Sequence, residues 1–194
     1  PDVVEEFSME FDRLKNGIWG LAKIDDWNYS PFAKRINSRG EFFEIWWSPG
    51  LELNSVKEKL LETINQAEKE LLVICWQITD KDILNALLEK STEGVKVHVI
   101  TDKHPFMTDE NLAFMQNPLV QVDINEDSTD GELKSFIHEH VLIADKKSVL
   151  FGTNNWTRRG SLSNDETIFY TNNSYLVNEF TDHFKELSGI LQNR

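Results

Sequence analysis

Residues 71–76, Leu-Leu-Val-Ile-Cys-Trp, are six apolar side chains in succession, and this run constrains the fold more than any other feature of the chain. Alternate residues of a strand point to opposite faces, so an unbroken apolar run has no face to offer water. It is also far shorter than the ~18 residues of a membrane span. The run therefore predicts a central strand covered on both sides by helices. Its surroundings agree. "NSVKEKLLETINQAEKE" (54–70) sets Val56, Leu60, Ile64 and Ala67 on one helical face, with Ser55 and Glu58 in capping-box register. "DKDILNALLEKSTEG" (80–94) reads as a second helix stopped by Gly94.

The alternation extends from residue 42 to the end. "FFEIWWSP", "VKVHVIT", "VQVDIN", "SFIHEHVLIAD", "SVLFG" and "DETIFYT" read as strands, and "TDENLAFMQN" and "YLVNEFTDHFKELSGIL" as helices. Asp145 with Lys146 and Lys147 turns two of the strands into a hairpin, and "EDSTDGELK" and "TNNWTRRGSLSN" read as loops. The expected class is α/β, a mixed sheet flanked by helices. Of Trp46 and Trp47, which alternate faces of one strand, one is expected in the core.

Residues 1–41 fit this scheme less well. Residues 17–41 have the composition of an irregular connector, but Asp2 to Leu14 align without gaps on Tyr175 to Leu187, with identity at five of thirteen positions: Val4/Val177, Glu6/Glu179, Phe7/Phe180, Phe11/Phe184 and Leu14/Leu187. Such a repeat points to duplication. On this reading residues 1–16 are the closing helix of an upstream unit, 17–41 a connector, and 42–194 one whole unit.

Composition excludes several function classes. A net charge of −13 and a sequence pI near 4.8 give no basic footprint for nucleic acid or anionic membrane. The single cysteine, Cys75, lies in the apolar run and reads as a core thiol, not as part of a disulfide framework. No segment is apolar enough for stable membrane insertion, and "PDVVEEF" lacks the basic start of a signal peptide, so a cytoplasmic location is expected.

Chemistry concentrates late in the chain. His138 and His140 share a face if residues 135–145 are extended, and two imidazoles aimed at one place are a metal site, an anion site or a coincidence. A zinc site lacks an obvious third ligand, because His98 and His104 belong to another strand and its following loop and no cysteine is near. Arg158 and Arg159 stand ready either for an anion or for neighbouring carboxylates.

His138, Asp145, Gly152, Asn155 and Glu166, in this spacing, resemble the phospholipase D superfamily, whose signature is His-x-Lys, then Asp, then Gly-Ser-x-Asn and, about eleven residues on, an acid. Two places depart from it: His140 stands for the lysine and Thr153 for the serine. Threonine keeps the hydroxyl, whereas an imidazole must take up a proton to replace an ammonium. The resemblance implies the C-terminal unit of a two-unit bacterial member and a pseudo-twofold duplicated fold. It also implies a phosphodiester substrate, lipid or nucleic acid, cleaved at a site completed by an upstream homologous unit or by a second copy. Catalytic roles fall on His138, His140, Asp145, Asn155 and Glu166, and phosphate contacts on His140, Thr153 and Asn155. Elementary chemistry fits: an imidazole attacks phosphorus, a carboxylate on its other nitrogen steadies the charge, and nearby donors hold the phosphoryl oxygens, with no metal or cofactor needed. A protonated His140 predicts phosphate affinity that strengthens as pH falls towards the ordinary imidazole pKa. The alternative is a degenerate unit, structural or anion-binding, with weak catalysis or none.

Overall fold

In the computed structural model the described residues are 3–25, 32–36, 40–50, 55–102, 109–126 and 137–193. The chain forms helix α1 (Val3–Lys15), strands β1 (Phe32–Ile36) and β2 (Phe42–Trp47), helix α2 (Val56–Asn65), strand β3 (Glu70–Cys75) and helix α3 (Lys81–Thr92). Strand β4 (Lys96–Asp102), helix α4 (Asp109–Met115) and strands β5 (Val120–Asn125), β6 (His140–Ala144) and β7 (Ser148–Gly152) follow. Helix α5 (Arg158–Leu162), strand β8 (Thr167–Thr171) and helix α6 (Ser174–Gln192) complete it. Helix starts follow local chemistry: the side chains of Ser55, Asp80 and Asn173 accept from the backbone N–H groups of Glu58, Asp82 and Leu176.

The strands make one eight-stranded mixed sheet in the order β1-β2-β8-β7-β6-β3-β4-β5. β3, β4 and β5 are parallel, joined by crossover helices, and every other neighbouring pair is antiparallel. The apolar run explains itself here. Leu71, Val73 and Cys75 face Leu60, Ile64, Ile83 and Leu87 of α2 and α3, while Leu72 and Ile74 face Val177 and Phe184 of α6. Each such side chain, fully buried, contributes about 1.5–3 kcal/mol.

Four local readings need correction. Residues 17–41 contain a regular strand, β1, which pairs antiparallel with β2 and extends the sheet. Both Trp46 and Trp47 are buried, because α1 lies over the outer face of β2 and sets Phe7 edge-on to Trp47, ring centroids 4.8 Å apart. The loop after β7 holds the short helix α5, capped by Thr157. The strand expected from residue 135 begins at His140, so His138 precedes it. The polar stretch 127–134 and His104 lie outside the described residues. No described helix is long and apolar enough to cross a membrane.

The segment after α1 is fastened to the same sheet by a buried ion cluster. Lys23, fully buried, pairs with Glu10 of α1, lies 2.6 Å from Asp165, and donates to the Ser48 carbonyl at 3.2 Å. The backbone N–H of Gly20 donates to the same Asp165 carboxylate at 3.0 Å.

Candidate active site

Strand β6 runs between β3 and β7, with His140 opposite Cys75 and Val141 opposite Phe151. At this end of the sheet β7 finishes at Gly152 and β8 begins at Thr167, in tight contact. A Cβ on Gly152 would stand 2.1 Å from the Thr167 carbonyl oxygen, so only glycine permits the approach. The closeness positions Thr153, whose N–H donates to the Thr167 carbonyl at 2.9 Å. Its hydroxyl accepts from the Thr167 N–H at 3.0 Å and donates to Glu166 Oε2 at 2.7 Å. Asn164 donates to Glu166 Oε1 at 3.0 Å, and Ser48 holds the Glu166 backbone through its N–H and its Oγ. Glu166 is thereby fixed at the same end of the sheet as the histidines.

The loop between β7 and α5 is anchored by Trp156. Its side chain is fully buried, and its carbonyl accepts from the N–H groups of Thr79 and Asp80. Gly160 lets α5 press on the loop, since a Cβ there would lie 2.2 Å from the Asn155 carbonyl oxygen. The polar groups held this way are unsatisfied. Among the described residues, the buried side-chain nitrogens and oxygens without a hydrogen-bond partner are His140 Nε2, Asn155 Oδ1, and both amide atoms of Asn154. Orphaned buried polar atoms each cost about 1–3 kcal/mol, so their gathering at one end of a well-satisfied fold marks a place shaped for a polar guest.

His138 is exposed beside them, its ring edge-on to Trp76 at 5.1 Å and to His140 at 5.5 Å between centroids. Its neighbours are pinned. Ile137 N–H donates to buried Asp102 at 3.0 Å, the Glu139 carbonyl accepts from Trp76 N–H at 3.2 Å, and the Glu139 carboxylate pairs with His183 of α6 at 2.9 Å. The two imidazoles meet as their spacing requires, although the first precedes the strand.

His140 differs from the sequence expectation. Burial, and then the neighbouring His138, lower its pKa to about 4, so in the free protein the ring is neutral at physiological pH. The fixed charge expected from a lysine is absent, and proton uptake on anion binding belongs to a more acidic range than the ordinary imidazole pKa. Nδ1 lies 3.5 Å from the sulfur of Cys75, whose thiol burial pushes up to about 12. That thiol has the Gln77 carbonyl at 3.2 Å as an alternative acceptor. When its hydrogen turns to Nδ1, the imidazole proton sits on Nε2 and points a donor at the orphaned cluster.

Asp145 is not part of this cluster. It caps the other end of β6, five residues from His140 or about 17 Å along a strand. With φ +55° it turns the hairpin, and its carboxylate accepts from the N–H groups of Glu68, Lys69 and Glu70. Partial burial alone would raise its pKa, but those three N–H groups, with Lys147 nearby, hold it below the usual carboxylate range. His98 is also elsewhere, bonded to Asp123 at 2.7 Å and set against Phe184. Among the described residues no group of three or more His, Cys, Asp or Glu could hold a metal. Arg158 and Arg159 are exposed on α5.

Sequence reasoning missed Asn154, Cys75 as a neighbour of His140, and Trp76 beside His138. Asn154 falls in the unspecified place of Gly-Ser-x-Asn, so spacing alone carried no signal for it.

Comparison with known proteins bears on the family and the fold. The chain is 26% identical over 129 residues to the mitochondrial cardiolipin hydrolase of Chlamydomonas reinhardtii, covering 66% of this chain and 56% of that protein. It is 25% identical over 122 residues to phospholipase D of Rickettsia conorii, covering 62% and 58%. It thus spans little more than half the length of these curated relatives. In fold it is similar to NucT from Helicobacter pylori, with a TM-score of 0.65 at 17% identity, covering 80% of this chain and 94% of that one. Residues 60–188 match the family described as "Cardiolipin synthase, PLD-like domain", and the chain belongs to that family.

Proposed function

We propose that this chain is one half of a phosphodiesterase whose nucleophile is His138. A ring nitrogen of His138 attacks phosphorus, the bond to the leaving alcohol breaks, and that oxygen takes its proton from a histidine of a second unit or copy. Water then attacks the phosphohistidine, gives its proton to the same partner histidine, and releases a phosphomonoester. Glu166 serves the other nitrogen of His138 and steadies its positive charge; a carboxylate has lone pairs to spare beyond those given to Thr153 and Asn164. Neutral His140, through Nε2–H, and the amide of Asn155 donate to the phosphoryl oxygens, with Thr153 beside them. Asp145 holds the hairpin and takes no chemical step.

The observation that carries this reading is the set of orphaned buried polar atoms on His140, Asn154 and Asn155, at the end of the sheet where His138 is exposed. Among phosphodiesters a phospholipid stands ahead of nucleic acid. The relatives are a cardiolipin hydrolase and a phospholipase D by name. Turnover of a chromogenic phosphodiester, of phosphatidyl vesicles and of single-stranded DNA is measured in the assembled protein, with and without His138→Asn. Loss of about 10³-fold or more in the variant is expected for removal of a nucleophile; equal turnover overturns the proposal.

A second reading, a unit that binds anions without turning them over, draws on one observation: the ring standing where a lysine is expected is held neutral. His140→Lys discriminates. A damaged enzyme gains turnover when the fixed charge returns, and a purely binding unit does not.

A further inference from the structure

Lys23 is fully buried, and its ammonium sits among acceptors from three separate segments: the Glu10 carboxylate, Asp165 Oδ1 at 2.6 Å and the Ser48 carbonyl oxygen at 3.2 Å. Burying such a group is a poor route to stability, since well-packed apolar side chains of similar volume often do as well or better. What the cluster supplies is a fixed spacing, and the residues it spaces are the ones that set Glu166. Asp165 precedes Glu166 in the chain. Ser48 grips the Glu166 backbone from both sides, donating its N–H to the Glu166 carbonyl at 3.0 Å and accepting from the Glu166 N–H at Oγ, also at 3.0 Å. The same Oγ donates to the Asn164 carbonyl at 2.7 Å, and the Asn164 amide donates to Glu166 Oε1.

The segment that carries Lys23 lies close against the Glu166 turn. Gly20 has φ +51°, a conformation that favours glycine, and a Cβ there would stand 3.4 Å from the Ser163 carbonyl oxygen. Its N–H donates to both oxygens of Asp165 at 3.0 Å. We infer that Lys23 is a positioning residue for Glu166, holding Ser48 and Asp165 at one spacing so that the carboxylate between them meets the ring of His138. Thr153 and Asn164 set the Glu166 side chain, and Lys23 sets the backbone that carries it. Fully buried, Lys23 acts through these partners and not on the substrate. The inference rests on the role proposed for Glu166, and it adds a residue outside the stretch 60–188 that matches the family.

The test is a double-mutant cycle of Lys23→Met and Glu166→Gln, read in the assembled protein with bis(para-nitrophenyl) phosphate. Lys23→Met should lower kcat about 30- to 100-fold and leave KM within about threefold of the parent's, as expected when a group that acts in the transition state is misplaced by about 1 Å. In the Glu166→Gln background the same change should cost less than about threefold, because its route of action is already gone. Further variants guard against a chain that fails to fold. Lys23→Met with Glu10→Gln removes the buried carboxylate left without its cation and should show the same loss, and Asp165→Asn, at a partly exposed position, should lower kcat about tenfold. Hydrogen exchange in the 194-residue chain reads the positioning without turnover: the Glu166 amide should exchange about tenfold or more faster in the Lys23 and Asp165 variants, with the amides of β3 unchanged. Losses that multiply in the double variant, a rise in KM without a fall in kcat, or parent-like exchange at Glu166 each overturn the inference. A silent Glu166→Gln overturns it together with the role proposed for Glu166, and a damaging Glu166→Gln beside silent Lys23 and Asp165 variants overturns it alone.

Discussion

The two ends of β6 carry residues of one sequence motif and do opposite things. At the Asp145 end a carboxylate meets three backbone N–H groups, and little there is left unsatisfied. At the His140 end an imidazole nitrogen and atoms of two asparagine amides are buried without partners beside an exposed histidine. A fold retains uncompensated polar groups only where something else repays their burial, and on this ground the proposed function treats the first end as architecture and the second as the place for chemistry. Shared motif membership did not distinguish them, and hydrogen-bond accounting does.

The sharpest way to break this contrast is to exchange the damage. His138→Gln should abolish turnover by about 10⁴-fold while moving the melting temperature by no more than a degree or two, because the ring is exposed and the site is already incomplete without a guest. Asp145→Ala should do the reverse. It strips acceptors from three N–H groups and leaves an alanine in left-handed backbone, which together cost about 2–4 kcal/mol in denaturant unfolding, with kcat at low temperature close to the parent's. If Asp145→Ala instead removed turnover at unchanged stability, the division between the ends would be wrong.

Acid stability sharpens the comparison further, since the two ends titrate in different windows. His140 has a folded pKa of about 4, below its unfolded value, so between about pH 6.5 and 4 the unfolded chain binds more protons. Stability is then full above pH 6.5 and falls as pH drops, by up to about 3 kcal/mol if the whole shift is expressed. His140→Asn should flatten that range in urea titrations. Asp145, whose pKa is lowered, adds stability present above the ordinary carboxylate pKa and lost only at more acid pH. A parent whose stability is flat from pH 6.5 to 4 would mean that His140 is not buried neutral.

The smallest effect belongs to Cys75. Replacement by alanine removes the group that faces Nδ1 of His140 and frees the imidazole to carry its proton on either nitrogen. Tungstate affinity, used as a phosphate surrogate, should fall about three- to tenfold, with a stability loss near 1 kcal/mol for a small buried side chain. Cys75→Ser should recover most of the affinity. Equal binding in all three proteins would show that the thiol does not set the tautomer.

Much of the fold was legible because it is written in periodicity. The apolar run at 71–76 demanded cover on both faces, and α2, α3 and α6 supply it. Strand β1 was not legible, because a strand at the edge of a sheet needs only one hydrogen-bonded neighbour and its sequence, Phe-Ala-Lys-Arg-Ile, carries no apolar run as plain as that of β6 or β7. The burial of both Trp46 and Trp47 was equally hidden, since it depends on a helix forty residues away lying across β2.

For the candidate site the sequence by itself determined which residue types recur at which spacing, and this was enough to name His138, His140, Asp145, Thr153, Asn155 and Glu166 as candidates and to expect an anion. Only the tertiary structure decided that Asp145 stands at the far end of β6, that Asn154 joins the orphaned amides, and that His140 is neutral. Spacing fixes the order of groups along a chain. Burial, neighbouring charge and hydrogen-bond satisfaction depend on what other segments bring to the same place, and those set whether a group is charged, committed or free to act.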